Sequence, residues 1–135
     1  NWDVTTTGNP YAHAVLRGYK GLDDVNYPNY HFEYLERLAD AYCTDEYQNP
    51  AVIIDCNHDN SGKRPLEQPR IVNEVLGSCK RSEKIAGIIR GFMIESYIED
   101  GNQPVDGGVF GKSITDACLG WEKSERLIYD LAEQI

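Results

Sequence analysis

A run of polar side chains directly follows an apolar segment near the middle of the chain. Residues 51–54 read Ala-Val-Ile-Ile, and residues 55–60 read Asp-Cys-Asn-His-Asp-Asn. The apolar run does not alternate, which is typical of a parallel strand covered on both faces. Parallel α/β proteins carry their chemistry where such strands end. His58 is therefore the first candidate for a metal ligand or an acid–base group, with a hydrogen-bonded loop histidine as the alternative.

Three more side chains occupy comparable positions. Arg17 ends a predicted strand over 12–17, Glu95 ends another over 85–95, and Asp116 follows the long loop after it. In a parallel sheet or barrel these strand ends lie on one face. His58, Glu95 and Asp116 form a donor set that suits manganese, iron, cobalt or zinc better than magnesium or calcium. The planar fork of Arg17 suits a phosphate or a carboxylate.

Each of these residues also has an ordinary explanation. A salt bridge at a strand end accounts for Arg17, a solvated or merely supporting carboxylate for Glu95, and a helix N-cap or solvated loop acid for Asp116. Three other basic residues are expected to be solvated, namely Lys63, Arg64 and Arg90. The convergence of the four candidates on one rim is the property that separates a site from unrelated polar positions.

The hydrophobic pattern around the candidates alternates strands with helices. Apolar residues recur three and four positions apart over 30–42, and again from the prolines at 65 and 69 up to residue 79. This spacing predicts two amphipathic helices. A third helix is predicted over 121–135, with its inward face formed by Leu127, Ile128 and Leu131. Strands that alternate with helices predict a parallel sheet with right-handed crossovers.

Two segments lack any such pattern. Residues 19–29 and 96–112 are rich in Gly, Asp, Asn and Pro and are predicted to be loops. The second is longer than the roughly 12–15 residues of an ordinary connection, and such loops are usually functional or disordered. It is followed at 113–116 by a predicted turn or short helix.

Composition limits the class of protein. The 135 residues, 41% hydrophobic and 26% charged, fit one small globular domain. A net charge of -9 argues against a nucleic-acid partner. We see neither an apolar run of about 18 residues nor a basic-then-apolar leader, so neither a membrane span nor secretion is indicated. The chain does not begin with Met, which suggests the cut end of a longer protein.

The cysteines are widely spaced. The sequence has four of them, at 43, 56, 79 and 118, without a Cys-x-x-Cys pair. This spacing indicates neither a zinc knuckle nor a redox motif. We expect reduced thiols and a cytoplasmic location, while the even count leaves disulfides open as the alternative.

Several longer motifs resemble one enzyme family. The chain contains AHAVLRG, IIDCNHDNSGK, GFMIESYIEDGNQ and GKSITDACLGWE. These segments resemble the C-terminal part of class I 3-deoxy-D-arabino-heptulosonate 7-phosphate (DAHP) synthase, and the resemblance covers nearly the whole chain. It implies a (β/α)8 TIM barrel and a metal-dependent transferase. That enzyme condenses phosphoenolpyruvate with erythrose 4-phosphate at the start of the shikimate route to aromatic amino acids.

The resemblance also implies roles for single residues. His58, Glu95 and Asp116 match metal-binding residues of the family, and Arg17 matches an arginine that binds the phosphate of phosphoenolpyruvate. The family has a further cysteine ligand on an early strand and a Lys-Pro-Arg-Thr motif. We find no counterpart of either in this chain, and neither Cys56 nor Cys118 matches that cysteine.

The length implies a partial barrel. A complete barrel of this kind needs about 250 residues, so residues 1–135 are expected to form a single C-terminal fragment with about the last three βα units. Such a remnant has open strand edges, which predicts self-association. Because the resemblance implies that the other half of the phosphate-binding site is missing, little or no turnover is expected from the fragment alone. Two alternatives stay open: another metal-dependent C–C bond-forming barrel, and a non-catalytic module completed by a partner chain.

Overall fold

The described part of the molecule is built around a small parallel sheet. The computed structural model describes residues 2–42 and 47–135, so Cys43 lies outside the described residues. Three strands pair in the order β1 (Ala14–Leu16), β4 (Val52–Asp55) and β5 (Ile89–Met93), and both pairings are parallel. The predicted α/β class with parallel strands is confirmed.

The two faces of this sheet differ in their surroundings. Val52 and Ile54 of the central strand point to one face and are fully buried in the hydrophobic core. On the opposite face, Val15 and Met93 leave 42% and 47% of their surface exposed. Helices therefore cover one side of the sheet only, and the other side is open.

Two helices cover the sheet in the way that the hydrophobic spacing predicts. Helix α1 (Phe32–Tyr42) buries Leu35 and Ala39, which are one turn apart. Helix α3 (Gln68–Arg81) follows a 3-10 turn at Pro65–Glu67 and buries Ile71 and Val75. Both helices bury an apolar stripe whose spacing of four residues repeats once per turn.

The last helix is present as predicted, but its buried face is narrower than predicted. Helix α5 spans Trp121–Ala132, and it buries Leu127 while Leu131 is partly buried against the core. The prediction that Ile128 faces inward was wrong, because 57% of its surface is exposed. Neighbouring helical residues point about 100° apart, so a narrow buried stripe that takes Leu127 leaves Ile128 outside.

The third strand is shorter than predicted. Residues Glu83–Ile88 form helix α4, so the strand predicted over 85–95 was wrong at its beginning. The Ser82 hydroxyl accepts a hydrogen bond from the Ile85 backbone N–H (3.5 Å), a typical N-cap contact. Ile85 and Ile88 lie three residues apart and are both fully buried. An apolar run of this length is compatible with either element, and the serine cap decides for the helix.

The predicted loop over 19–29 contains a small hairpin. Strands β2 (Tyr19–Lys20) and β3 (Asn26–Tyr27) pair antiparallel. The rings of Tyr19 and Tyr27 stack with their centroids 5.3 Å apart. The Tyr27 hydroxyl also donates to Asp23 Oδ2 (2.7 Å) across the turn. Stacked aromatic pairs across strands stabilise such a short ladder, which the abundance of turn-forming residues concealed.

The segment between β5 and α5 is irregular but extensively hydrogen-bonded. Isolated bridges join Ser96 to Leu119 and Gly101 to Cys118. Ser113 bridges Asn102 and residues 114–116 form bends, so the chain turns here and the short helix is not formed. These contacts fix the part of the loop that carries Asp116.

The structure also bears on the state of the cysteines and on membrane-spanning helices. Cys56, Cys79 and Cys118 are free cysteines, so among the described residues no disulfide is formed. Within residues 2–42 and 47–135, we find no helix whose length and apolarity match a bilayer crossing.

Candidate metal centre

Three of the predicted residues meet at one edge of the sheet. His58 opens the one-turn helix α2 (His58–Ser61) just after β4, and Glu95 lies two residues beyond β5. Asp116 approaches from the long loop. His58 Nε2 lies 3.5 Å from Asp116 Oδ2 and 3.9 Å from Glu95 Oε2. One donor atom from each of the three residues lies within 4.8 Å of the others.

These separations fit a single small cation. Donors bound at about 2.1 Å in tetrahedral directions are about 3.4 Å apart. The side chains are partly exposed, at 22% for His58, 30% for Glu95 and 41% for Asp116. One imidazole and two carboxylates suit first-row divalent metals. The residues present therefore fit a metal of the predicted kind, reachable from solvent.

Asp55 orients the imidazole of His58. The Nδ1–H of His58 donates to Asp55 Oδ2 (2.7 Å), and the Asp55 side chain is almost fully buried. This hydrogen bond leaves the lone pair on Nε2, the nitrogen that faces Glu95 and Asp116. The backbone of His58 has φ +42°, a conformation that non-glycine residues adopt mainly where the surrounding structure enforces it.

Arg17 lies in the same cleft as two members of the cluster. A cleft of about 590 Å³ is lined by Arg17, His58 and Asp116, together with Lys20 and Lys63. Lys20 pairs with Asp24, and Lys63 Nζ lies 3.7 Å from Asp116 Oδ1. Among the described residues, no ion pair or side-chain hydrogen bond involves the Arg17 guanidinium, so a structural salt bridge does not account for it.

A close backbone contact holds the end of β1 against α2. The Asn60 backbone N–H donates to the Arg17 carbonyl (3.2 Å), and its side-chain Nδ2 donates to the Leu16 carbonyl (3.0 Å). Gly18 has φ +74°, and a Cβ there would meet the Asn60 backbone nitrogen at 2.7 Å. Only glycine permits this approach, which brings Arg17 beside His58.

Cys56 and Cys118 lie near the cluster but are not among its donor residues. Burial raises the pKa of the Cys56 thiol strongly, and nearby Asp55 adds to the effect. Burial is also the main cause of the raised pKa of Cys118, with Glu95 and Asp116 contributing. Both thiols are therefore shifted away from the thiolate form that binds metals, and the donor set found among the described residues contains neither of them.

Sequence reasoning missed the residues that support the cluster. Asp55 and Asn60 were visible only as members of a polar run, and Asn29, whose Oδ1 accepts from the Gly18 N–H (2.8 Å), was assigned to a loop. The Asn29 and Asn60 side chains bind backbone groups from distant segments, whereas Asp55 binds the nearby Asn57 N–H and His58 ring. A pattern of neighbouring residues contains no signal for such contacts.

Comparisons with known proteins identify the same family that the sequence motifs resemble. A family model described as the DAHP synthetase I family matches residues 3–128. The chain is 39% identical, over 134 residues, to the Trp-sensitive phospho-2-dehydro-3-deoxyheptonate aldolase of Enterobacter agglomerans. It is 34% identical to the Trp-sensitive enzyme of Escherichia coli K12 and 34% identical to the Tyr-sensitive enzyme of Salmonella typhimurium LT2.

The match covers nearly all of this chain but only part of each relative. It takes in 96% of this chain and 35% of the Enterobacter agglomerans protein, namely the C-terminal part of it. A solved phospho-2-dehydro-3-deoxyheptonate aldolase from Francisella tularensis SCHU S4 superimposes with a TM-score of 0.80 and 30% identity. That alignment covers 96% of this chain and 36% of the solved one. The expected partial (β/α)8 barrel is thereby confirmed. The chain belongs to the DAHP synthetase I family.

Proposed function

We propose that this chain forms the C-terminal part of a DAHP synthase active site, within a transferase that condenses phosphoenolpyruvate with erythrose 4-phosphate. The observation that carries the proposal is the meeting of His58, Glu95 and Asp116 at the carboxyl ends of parallel strands, with Arg17 in the adjoining cleft. Family membership supports the same reaction. The relatives named above are all phospho-2-dehydro-3-deoxyheptonate aldolases, which favours this reaction over that of another aldolase barrel.

The three clustered residues are proposed to hold one divalent metal, which is manganese, iron, cobalt or zinc. Such a metal supplies Lewis acidity for polarising a carbonyl oxygen. His58 contributes Nε2, the ring nitrogen that is not bonded to Asp55, and Glu95 and Asp116 contribute one oxygen each. The two carboxylates also offset the charge of the cation, which favours its binding.

Arg17 is proposed to bind the phosphate of phosphoenolpyruvate. Its guanidinium carries a full charge at any working pH and offers two parallel donors to phosphate oxygens. Lys20 and Lys63 line the same cleft and raise its local positive potential, although each already faces an aspartate. The hydrogen bond from the Asn60 backbone N–H to the Arg17 carbonyl fixes the backbone of Arg17 next to the metal cluster.

The remaining parts of the site belong to the rest of a longer barrel. The chain spans about a third of the length of the relatives it matches. We propose that residues 1–135 form one fragment of a single barrel domain and that the missing cysteine ligand and Lys-Pro-Arg-Thr segment come from outside it. Turnover by this chain alone is then expected to be little or none. The cytoplasmic location stays a prediction.

A metal titration tests the proposed ligand set. We expect Co²⁺ to bind the unaltered chain and to develop the visible absorption of a coordinated ion. The His58→Ala variant removes the only nitrogen donor and should weaken binding by more than the roughly 10–100-fold typical of losing a residue that merely supports a ligand. The matched control is His13→Ala, since His13 is exposed and, among the described residues, its ring has a single hydrogen-bond partner, the Tyr11 carbonyl. Equal affinity of both variants would remove His58 from the proposal.

A further inference from the structure

Glu95 lies beyond the last residues that pair between β4 and β5. The last paired residues of β4 and β5 are Asp55 and Met93, and the final ladder bond runs from the Cys56 N–H to the Met93 carbonyl (3.0 Å). Glu95 follows two residues later. The Glu95 carbonyl accepts from the Leu119 backbone N–H (2.9 Å), but its N–H lies beyond the β4–β5 ladder and needs another partner.

The Gln68 side chain bonds to both backbone groups of Glu95. The Glu95 N–H donates to Gln68 Oε1 (2.8 Å), and Gln68 Nε2 donates to the Glu95 carbonyl (3.0 Å). The two bonds reproduce the pairing that a neighbouring strand offers. They also fix which end of the amide is oxygen and which is nitrogen, since one backbone partner donates and the other accepts.

The burial of Gln68 makes this pairing obligatory. Gln68 is the first residue of α3 and has 0% of its surface exposed. A buried amide that loses its partners costs free energy in proportion to the hydrogen bonds it forgoes. The Glu95 backbone bonds to both ends of this amide. If Glu95 moved away, the buried Gln68 amide would lose both of these hydrogen bonds.

Asn57 holds the carboxylate of the same residue. Its side chain is buried, and its Nδ2 donates to Glu95 Oε2 in a short contact and to the Ala117 carbonyl at 3.4 Å. Both partners of Nδ2 are acceptors only, which fixes the orientation of the amide and leaves Asn57 Oδ1 to accept from the Ser61 hydroxyl (3.1 Å). The donor therefore points at the carboxylate oxygen that faces His58.

We propose that Gln68 and Asn57 are positioning residues that preset Glu95 for metal binding, Gln68 through its backbone and Asn57 through its carboxylate. The inference rests on the proposed metal site and adds residues that family membership does not assign. With Asp55 holding His58, and with Gln68 and Asn57 holding Glu95, these two ligands are in place before a metal binds. Asp116 completes this site from the loop, where its carboxylate contacts His58 and Lys63.

Two measurements on the full chain test the inference. Gln68→Met keeps the length of the side chain and removes both hydrogen bonds, and Asn57→Ala removes the contact to the carboxylate. We expect the Glu95 amide to exchange with solvent at least about tenfold faster in Gln68→Met, while the Ile54 amide in the core strand stays protected. The dissociation constant for Co²⁺ should rise roughly 10–100-fold in both variants.

A matched control separates positioning from general loss of stability. Ser78 is also a buried polar residue of α3, and its hydroxyl donates to the Glu74 carbonyl (3.1 Å) without contacting Glu95. Ser78→Ala should leave both the exchange rate at Glu95 and the Co²⁺ affinity unchanged. If Gln68→Met does not fold, as judged by loss of Ile54 protection, the Co²⁺ affinity of Asn57→Ala decides the question.

The outcomes distinguish this inference from the function on which it rests. Unchanged Co²⁺ affinity in Asn57→Ala and in a folded Gln68→Met would overturn the inference. An unaltered chain that binds no Co²⁺ would instead overturn the metal proposal. In that case the exchange rate alone decides: acceleration at Glu95 in Gln68→Met supports the positioning role, and an unchanged rate contradicts it.

Discussion

In the proposed metal site, one buried neighbour orients the imidazole of His58. Asp55 fixes the ring through Nδ1, and Nε2 is thereby left to face two carboxylates. The polar run after the central strand made His58 a candidate. Its partner could not be identified from sequence, because an aspartate three residues away faces the ring only after a backbone turn with positive φ.

Loss of Asp55 should weaken the metal site without removing a ligand. In Asp55→Ala the ring loses the acceptor that selects its tautomer and orientation, so we expect the Co²⁺ dissociation constant to rise roughly 10–100-fold. Asp59 lines the same cleft and has no hydrogen bond to the His58 ring among the described residues, so Asp59→Ala controls for the lost charge. Calorimetric titration of both variants measures the effect, and equal losses would reduce Asp55 to a general electrostatic role.

The thiols offer a test of burial at the residue scale. Because burial raises the pKa of Cys56, its reactive thiolate is scarce at pH 8, whereas partly buried Cys79 is more accessible. We expect iodoacetamide to label Cys79 in the native chain and to label Cys56 only after denaturation. Mass spectrometry of the alkylated peptides measures both rates, and native labelling of Cys56 as fast as Cys79 would contradict this packing.

At the scale of elements, the site depends on how closely the end of β1 approaches α2. The hydrophobic pattern predicted the strands and the main helices, because core burial repeats with the period of each element. It did not predict helix α4, which begins at the Ser82 cap, or the β2–β3 hairpin, which the stacked rings of Tyr19 and Tyr27 stabilise. Sequence also indicated the rim on which the candidates lie, while the contacts that bring the elements together are long-range.

Gly18 allows a clean test of that approach. Gly18→Ala places a Cβ against the Asn60 backbone, whereas Gly8→Ala has a similar positive φ of +80° and nothing within 4 Å. Both substitutions carry the cost of a left-handed alanine, about 1 kcal/mol. We expect Gly18→Ala to lose clearly more stability in urea unfolding, since β1 and α2 must separate. Equal losses would show that the contact is unimportant.

At the scale of the whole molecule, the open side of the sheet is the main consequence of a partial barrel. Val15 and Met93 are exposed on that side, and the outer edge of β1 carries unpaired backbone groups. A complete barrel has no such edge. Chain length together with the resemblance predicted this feature, since about a third of each relative is present.

We expect this chain to self-associate through the open side. Sedimentation velocity at increasing concentration should show species larger than the monomer. Val15→Lys should reduce them, because a lysine at an edge strand resists pairing. Exposed Ile128 lies on α5, away from the sheet edge, so Ile128→Lys is the matched control. A monomer at every concentration would contradict the expectation.

The most direct test of the central claim is to locate a bound metal. Anomalous scattering from a crystal of the chain soaked in Co²⁺ should give a peak within about 2.2 Å of His58 Nε2 and of one oxygen each from Glu95 and Asp116. A metal bound only elsewhere, or three side chains that point to different sides of the molecule, would contradict the account.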